Sequence, residues 1–555
     1  MAGERIRAGV AAARILERQG VRFAFGVPGE SFLGLLDALY ETDGIRLIGT
    51  RHEGGAAFMA EAVGKLTGVP AIAMGTRGVG TANLTIGIHT AYQDSTPMIA
   101  MVGQVETPYR HKEALQEVEL APFLSEITQW AVEVPTGDRL PDLTSEAFRR
   151  SVSGRPGPVA LALRGDILDA EVPAALPESS QQPVAAADPS GVAEAIRLLQ
   201  GARRPLIIAG GGVLRAGATD ALVALAERTA VPVATSFRRH DAFPNDHPLF
   251  LGSLSIGAPS VVIERAREAD VVMAIGTRLG ETTTFGYTIP GEGATLIHID
   301  ASPDVVGRTY PATVALVADA AAAIASLDRR ATETEWPDWS ERNVRDREAY
   351  EGATEPPSAS AVSNLVDPAL VVGELQRQLP ADAVITCDAG NFYGWLSRYF
   401  KYRQPGTFLG PTSGAMGYAV PSAVAAALVR ENRVPSVAVA GDGGFLMTGN
   451  ELAVAAQHDL RVTCVVFNNA MYGTIRLHQE RTYPGRVSGT GLASPDFVRY
   501  AESFGGMGVR VESNADIADG VRQVLEHDGI GLLEIAVAED TISVGQTLEQ
   551  LRGTQ

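Results

Sequence analysis

The sequence predicts an α/β fold of three doubly wound domains with mainly parallel sheets, and three observations carry that expectation. Apolar runs bounded by glycine alternate with segments of helical period along the whole chain, as strands joined by crossover helices do. The length of 555 residues accommodates about three domains at ~100–200 residues each. Two stretches, 171–189 and 331–363, turn polar and proline-containing without an apolar period and read as linkers. The expected domains are therefore 1–170, 190–328 and 364–555.

In the first domain, 21–27 reads as a strand entering a turn at Pro28-Gly29, and 45–50 as a second strand. Glu53 then opens a helix through Ala56, Met59, Ala60 and Val63, and a third strand, 71–75, leads into Gly78-Val79-Gly80 and another helix. The middle domain has strands at 205–209, running into Gly210-Gly211-Gly212, and at 270–275 and 295–299, the last with Asp300 at its end. The final domain has strands at 383–387, 436–440 and 462–467, with a helix expected over 450–457. No short-period repeat argues for a solenoid.

Composition narrows the function. Lys and Arg number 46 against 65 Asp and Glu, a net charge of −19, so nucleic acid and anionic membranes meet general repulsion. The balance favours an enzyme acting on small molecules. Cys387 and Cys464 lie in apolar strands and form neither a disulfide framework nor a zinc site, which suits a reducing cytoplasm. Residues 1–20 are amphipathic and charged, unlike a signal peptide. No apolar run approaches the ~20 residues that span a bilayer.

The chemistry concentrates in the last domain. Strand SVAVA runs directly into Gly441-Asp442-Gly443-Gly444, and strand VTCVVF ends at Asn468-Asn469, so that Asp442 and Asn469 stand 27 positions apart. A strand–helix–strand crossover of that length brings two neighbouring parallel strands together, with a carboxylate and an amide oxygen at one crevice. Such hard oxygen ligands suit Mg²⁺ shared with a phosphate group. Gly443 and Gly444 let main-chain N–H groups approach a diphosphate. Either motif alone is an ordinary turn; their combination at two strand ends favours the metal–diphosphate reading.

GDGG followed by NN at this spacing resembles the cofactor motif of thiamine diphosphate enzymes. The chain looks like the acetolactate synthase-like branch of the pyruvate decarboxylase/acetolactate synthase superfamily, of the large catalytic subunit type. Further matches are FGVPGE (25–30), RHEGGAAFMAEA (51–62), TAYQDSTPMIAMVGQV (90–105), GRPGPVALAL (154–163), GAMGYAVPSA (414–423) and NNAMYGTIR (468–476). The resemblance implies a pyrimidine-binding first domain, a central Rossmann-like domain and a diphosphate- and Mg²⁺-binding third domain. It implies that Glu53 acts on the aminopyrimidine ring of the cofactor, a task for which a carboxylate in an apolar pocket is suited. From the residues alone, Glu53 is simply a carboxylate at a helix N-terminus. Pro28, Asn83, Gly390, Asn391, Gly414, Met416, Gly443 and Gly444 are implied cofactor contacts. Asp442, Asn469 and the Met471 carbonyl are the implied Mg²⁺ ligands. The resemblance also implies a site shared between subunits, hence a homodimer at least and commonly a homotetramer; it leaves a regulatory subunit open.

In similar proteins the central domain binds FAD, ADP or nothing. Here a lone glycine triplet reads as structural, and Thr277-Arg278-Leu279-Gly280-Glu281 replaces the Arg-Phe-Asp-Asp-Arg stretch of flavin-binding relatives, which speaks against FAD. Decarboxylases of the superfamily carry a His-His pair where this chain has Tyr109-Arg110-His111-Lys112, and a glutamate where it has Thr474-Ile475-Arg476. The acid that ends a simple decarboxylation is thus missing from its usual place, which favours carboligation. Leu115-Gln116-Glu117 resembles the synthase Phe-Gln-Glu and makes Gln116 a catalytic candidate, while His478 replaces a tryptophan of the acceptor pocket. Glu30 reads equally as a proton donor and as a helix-opening carboxylate. The basic run at 110–112 reads as a solvated loop rather than a substrate anchor. The expected activity is decarboxylation of a 2-keto acid such as pyruvate with ligation to a second carbonyl. A non-oxidative decarboxylase or aldehyde lyase is the alternative, and a silent cofactor-binding regulatory protein the second.

Overall fold

The computed structural model describes residues 4–176, 182–360 and 365–553. Three six-stranded parallel sheets form its frame. The first runs Arg46–Gly49, Phe23–Gly26, Ala71–Thr76, Met98–Gln104, Pro158–Arg164, Trp130–Glu133. The second runs Phe250–Ser253, Val233–Thr235, Pro205–Ala209, Val271–Ile275, Thr295–Asp300, Val314–Val317. The third runs Phe408–Leu409, Val384–Cys387, Ser436–Gly441, Val462–Asn468, Ile530–Ala536, Met507–Val511. Their central strands are apolar at nearly every position because helices cover both faces; all of Met98–Gln104 and of Pro205–Ala209 is buried.

Numbered within each sheet, the first and third share the strand order 2-1-3-4-6-5, while the second is 3-2-1-4-5-6. In each, the connections leave two adjoining central strands in opposite directions, and a crevice opens there beyond the C-terminal strand ends. In the first sheet that point lies between Phe23–Gly26 and Ala71–Thr76; in the third it lies between Val384–Cys387 and Ser436–Gly441. The residues following these strands are Val27-Pro28-Gly29, Arg77-Gly78, Asp388 and Asp442.

By packing, the chain falls into two compact units. One comprises the residues through Pro183 with Pro411–Ser436 and Phe445–Val462; the other comprises Val184–Gly410, Val437–Gly444 and the chain from Thr463 onward.

Several local expectations change. The stretch expected as a linker over 331–363 contains the helix Ser340–Thr354. Its buried face is Asn343, Tyr350 and Thr354, and it is tied down by Arg265 on its Asp346 and by its Arg342 on Glu268, so it carries no apolar stripe for a sequence to display. Within 171–189, Glu171–Pro173 pairs antiparallel with Arg5–Arg7, and Pro189 opens the helix Pro189–Gln200; residues 177–181 and 361–364 of the expected linkers lie outside the described residues. An additional helix, Asp442–Thr448, precedes the expected one, which is present as the 3-10 turn Gly449–Glu451 and the helix Leu452–Gln457. Cys387 and Cys464 are buried in strands, and burial pushes both thiols up to about 12. Among the described residues no helix is long and apolar enough to cross a membrane.

Candidate active site

Glu53 opens the helix Glu53–Thr67 beyond the edge strand Arg46–Gly49 of the first sheet. His52 caps that helix by accepting the Gly54 N–H on Nδ1 at 3.0 Å. The Glu53 side chain is buried, 8% exposed, where an unpaired carboxylate is costly. Asn83, on the helix Arg77–Asp94, donates Nδ2 to Glu53 Oε2 at 2.9 Å. Gly80 leaves the space beside the other oxygen, since a Cβ there would stand 3.1 Å from Oε1. The structure thus joins Glu53 and Asn83 in one feature.

Behind this helix start lies a residue that the sequence did not single out. The fully buried Glu451 accepts the main-chain N–H groups of Arg51 at 3.2 Å and His52 at 3.0 Å. Gly55 leaves room for it, as a Cβ there would come within 2.4 Å of its Oε1. Burial pushes the Glu451 carboxyl up to about 7 against those hydrogen bonds and the Arg51 charge. A glutamate opening the apolar run ELAVAA was the available signal.

Glu30 opens the short 3-10 turn Glu30–Phe32 and is exposed, as is Pro28 before it. Arg77, also unforeseen, connects Glu30 with the segment of Gln116: its Nη2 lies 3.4 Å from Glu30 Oε1, and its Nη1 donates to the Leu115 carbonyl at 3.2 Å. The Gln116 side chain belongs to an exposed residue at φ +60°, and its carbonyl accepts the Gly78 N–H at 3.0 Å. The reading of 110–112 as a solvated loop fails at Arg110. Its side chain is 7% exposed and pairs with Glu117, Glu119 and Glu133, so three carboxylates occupy it.

In the third sheet, Ser436–Gly441 and Val462–Asn468 pair in parallel, Gly441 opposite Phe467, which places Asp442 and Asn468-Asn469 at adjoining strand ends. Asp442 is 1% exposed. Burial raises its pKa, opposed by the Gly443 N–H, the Ser494 hydroxyl and the Ala470 N–H. Ser494 Oγ, a contact that no motif announced, donates at 3.2 Å. Ala470 sits at φ +53°, a left-handed conformation that bends the chain between Asn469 and Met471 and is found disproportionately at functional sites. The Met471 carbonyl accepts the Gly473 N–H at 3.0 Å, which leaves it a second lone pair.

The glycines after Asp442 have a packing reason of their own. A Cβ on Gly443 would come within 2.5 Å of Tyr472, and one on Gly444 within 2.4 Å of Asp388 Oδ2. Asn391 donates to the Ile542 carbonyl at 2.6 Å and accepts from Thr474 Oγ1 at 2.9 Å. Both the Asn391 and Asn469 amides flank Gly473, within 3.6 and 3.3 Å of where its Cβ would be. Gly390 is kept small by the ring of Phe392. Gly414 is exposed at φ +71°, and Met416 is half-buried.

In the second sheet the glycine triplet is explained by backbone packing. A Cβ on Gly210 or Gly212 would lie 2.3 or 2.6 Å from main-chain atoms of Gly276.

Family models match three places: the thiamine pyrophosphate enzyme N-terminal TPP binding domain over 6–123, the central domain over 192–327, and the C-terminal TPP binding domain over 388–535. The chain belongs to the thiamine pyrophosphate enzyme family. It is 32% identical over 546 residues to a probable acetolactate synthase large subunit of Methanocaldococcus jannaschii, covering 94% of this chain and 90% of that protein. It is 30% identical over 530 residues to the acetolactate synthase isozyme 3 large subunit of Escherichia coli, covering 92% and 91%. A sulfoacetaldehyde acetyltransferase of Alcaligenes xylosoxydans is 30% identical over 540 residues, covering 91% and 88%. The chain is thus an enzyme of acetolactate synthase-like type that depends on thiamine diphosphate, the same compound as thiamine pyrophosphate.

The residues present fit that cofactor. Asp442 is a carboxylate that burial makes costly, at the end of a strand that adjoins the one ending at Asn468-Asn469, and carboxylate and amide oxygens suit a hard cation carrying phosphate. Among the described residues no group of three or more His, Cys, Asp or Glu forms a metal cluster, and a site with one carboxylate requires none.

Proposed function

We propose that this enzyme binds thiamine diphosphate with Mg²⁺ and ligates a decarboxylated 2-keto acid, pyruvate first among them, to a second carbonyl compound. The observation that carries the reading is the buried Asp442 carboxylate beside Asn469 at adjoining strand ends, supported by the Glu53–Asn83 pair. In this reading Asp442, Asn469 and the Met471 carbonyl hold the cation, and Gly443 and Gly444 turn N–H groups to the diphosphate. Gly390, Asn391, Gly414, Met416 and Pro28 contribute to the cofactor's surroundings. Bound thiamine diphosphate supplies the electron sink for loss of CO₂. Glu53 holds a proton at the pyrimidine ring, and Asn83 keeps its carboxylate aimed. Gln116 and Glu30 lie toward the substrate, linked through Arg77. The domains are those at 1–170, 190–328 and 364–555, the active unit is a homodimer or homotetramer, and the setting is the cytoplasm.

A second reading, simple decarboxylation or aldehyde lysis, is favoured by one observation: Glu30 is exposed in the 3-10 turn that follows the strand Phe23–Gly26, where it can meet a substrate as an acid. Mass spectrometry of products separates the two. The enzyme is given thiamine diphosphate, Mg²⁺ and pyruvate, alone and with a panel of keto acids and aldehydes; sulfoacetaldehyde is included because a relative's name carries it. Acetolactate or a mixed ligation product is expected. Acetaldehyde as the sole product overturns the ligase reading in favour of the second.

A further inference from the structure

Arg238 follows the short strand Val233–Thr235 of the second sheet, yet its side chain serves the third. It is 2% exposed and sits at φ +55°, a backbone conformation unfavourable for a long side chain. Its guanidinium donates from Nη1 to the Cys387 carbonyl at 3.1 Å and from Nη2 to the Asp388 carbonyl at 2.9 Å. It lies 4.3 Å from the ring centroid of Tyr393 and 5.4 Å from that of Phe237. Gly410 makes room for it, since a Cβ there would stand 2.8 Å from Nη1. A buried guanidinium that meets carbonyls and ring faces rather than a carboxylate is expensive, and a core needing only volume is served better by an apolar side chain.

What the arrangement achieves is placement. The planar fork holds two consecutive carbonyls at once in a fixed geometry, which the point charge of a lysine ammonium on its flexible stem does not impose. Those carbonyls end the strand Val384–Cys387, beside Ser436–Gly441 at the switch point of the third sheet. Asp388 Oδ2 in turn fills the space beside Gly444, so a shift at Asp388 is felt in the segment after Asp442. Neighbouring contacts brace the same seam. Asp241 Oδ2 accepts the N–H groups of Gly406 at 2.8 Å and Thr407 at 3.1 Å. His240 Nε2 and Ser255 Oγ both meet Tyr393 Oη, at 2.8 and 2.6 Å.

We propose that Arg238 is a positioning residue for the cofactor: from the central sheet it sets the strand end Cys387-Asp388 and, through Asp388, the Gly443-Gly444 turn that receives the diphosphate. The assignment rests on the reading of 388–391 and 442–444 as the diphosphate side of the site.

The test compares the full-length enzyme with Arg238→Lys and Arg238→Met, measuring thiamine diphosphate affinity by calorimetry in saturating Mg²⁺, kcat against cofactor concentration, and hydrogen exchange of peptides over 386–396 and 462–468. Losing a two-pronged charged hydrogen bond is expected to weaken cofactor binding about 10-fold or more, with most of the kcat recovered at saturating cofactor. Exchange should rise over 386–396 and stay unchanged over 462–468. Unchanged affinity in both variants, or a uniform rise in exchange, overturns the proposal. If neither variant folds, the unmodified enzyme decides, because coupling between two sites is reciprocal. Cofactor should then slow exchange over 237–241 together with 386–396, and protection of 386–396 alone overturns the coupling. An unmodified enzyme that binds no thiamine diphosphate sinks the underlying reading, and the proposal with it, and is recognised by its own titration.

Discussion

Asn83 donates a hydrogen bond of 2.9 Å to the buried carboxylate of Glu53, joining the second turn of the helix Arg77–Asp94 to the first residue of the helix Glu53–Thr67. A hydrogen bond to a charged group contributes about 1.5–3 kcal/mol. Asn83→Ala is therefore expected to lower kcat by roughly 10–100-fold with little change in cofactor affinity, because the carboxylate stays but loses its aim. Glu53→Gln removes the proton acceptor itself; exchange of the cofactor's reactive C–H proton, followed by NMR, should slow by about 10²–10⁴-fold. Exchange in Glu53→Gln at the unmodified rate refutes the role given to Glu53.

Glu451 gives a pH signature. Burial raises its carboxyl from 4.5 to about 7, so between those values the folded chain holds a proton that the unfolded chain has released. Stability from this group is then fully present below about pH 4.5, declines as pH rises toward 7, and levels off above; the sum is on the order of a few kcal/mol. Glu451→Gln cannot ionise and keeps a carbonyl oxygen for the Arg51 and His52 N–H groups. Its apparent Tm, measured from pH 5 to 8, should lose the downward slope that the unmodified enzyme shows, so that the two curves diverge as pH rises. Parallel curves exclude Glu451 as the titrating group.

The frame of this enzyme is legible in sequence because parallel strands buried on both faces are continuous apolar runs ended by glycine. The strand at 205–209 falls exactly where it was expected, and others shift by a residue or two. The Asp442 and Asn469 pairing was equally legible, being set by one crossover. Arg238, Ser494 and Glu451 were not, since each meets its partner through tertiary packing; Glu451 reaches a main chain 400 residues away. The helix Ser340–Thr354 was hidden for another reason: ion pairs and a buried asparagine hold it, so its pattern is that of a polar tether. Arg110 looked solvated because the glutamates that enclose it are spread from 117 to 133.

Asp442 should show stability and function pulling in opposite directions. Its pKa is raised by burial, so at neutral pH its charge costs stability until a cation arrives. Asp442→Asn is expected to raise the apparent Tm of the cofactor-free enzyme slightly while abolishing the Tm increase on adding thiamine diphosphate and Mg²⁺. In the unmodified enzyme, ligand at about 100 times Kd stabilises by ~2.7 kcal/mol, and EDTA should erase that gain. A full ligand-induced shift in Asp442→Asn rules out Asp442 as a cation ligand.

Lys65 is the cation of a second buried cluster, distant in role from the cofactor residues. Its Nζ lies 2.8 Å from Glu61 Oε1 and 2.8 Å from Asp94 Oδ2, both side chains fully buried, and 5.1 Å from the Tyr418 ring centroid. Tyr418 Oη donates to Glu61 Oε2 at 2.6 Å, and Thr96 Oγ1 to Glu61 Oε1 at 2.8 Å. Burial, with Asp94 nearby, raises the Glu61 pKa, while Lys65 and the Tyr418 hydroxyl oppose the shift. Removing one partner of a buried ion pair costs about 3–5 kcal/mol, because the other charge is left uncompensated. Lys65→Met should lower the apparent Tm most at alkaline pH and progressively less as the pH is lowered, because a carboxyl whose pKa is raised takes up a proton more readily. Adding Asp94→Asn should recover a substantial part of the loss, since it removes one of the two stranded charges. Additive losses in the double variant, or a pH-independent loss in the single one, contradict a cluster held by this lysine's charge.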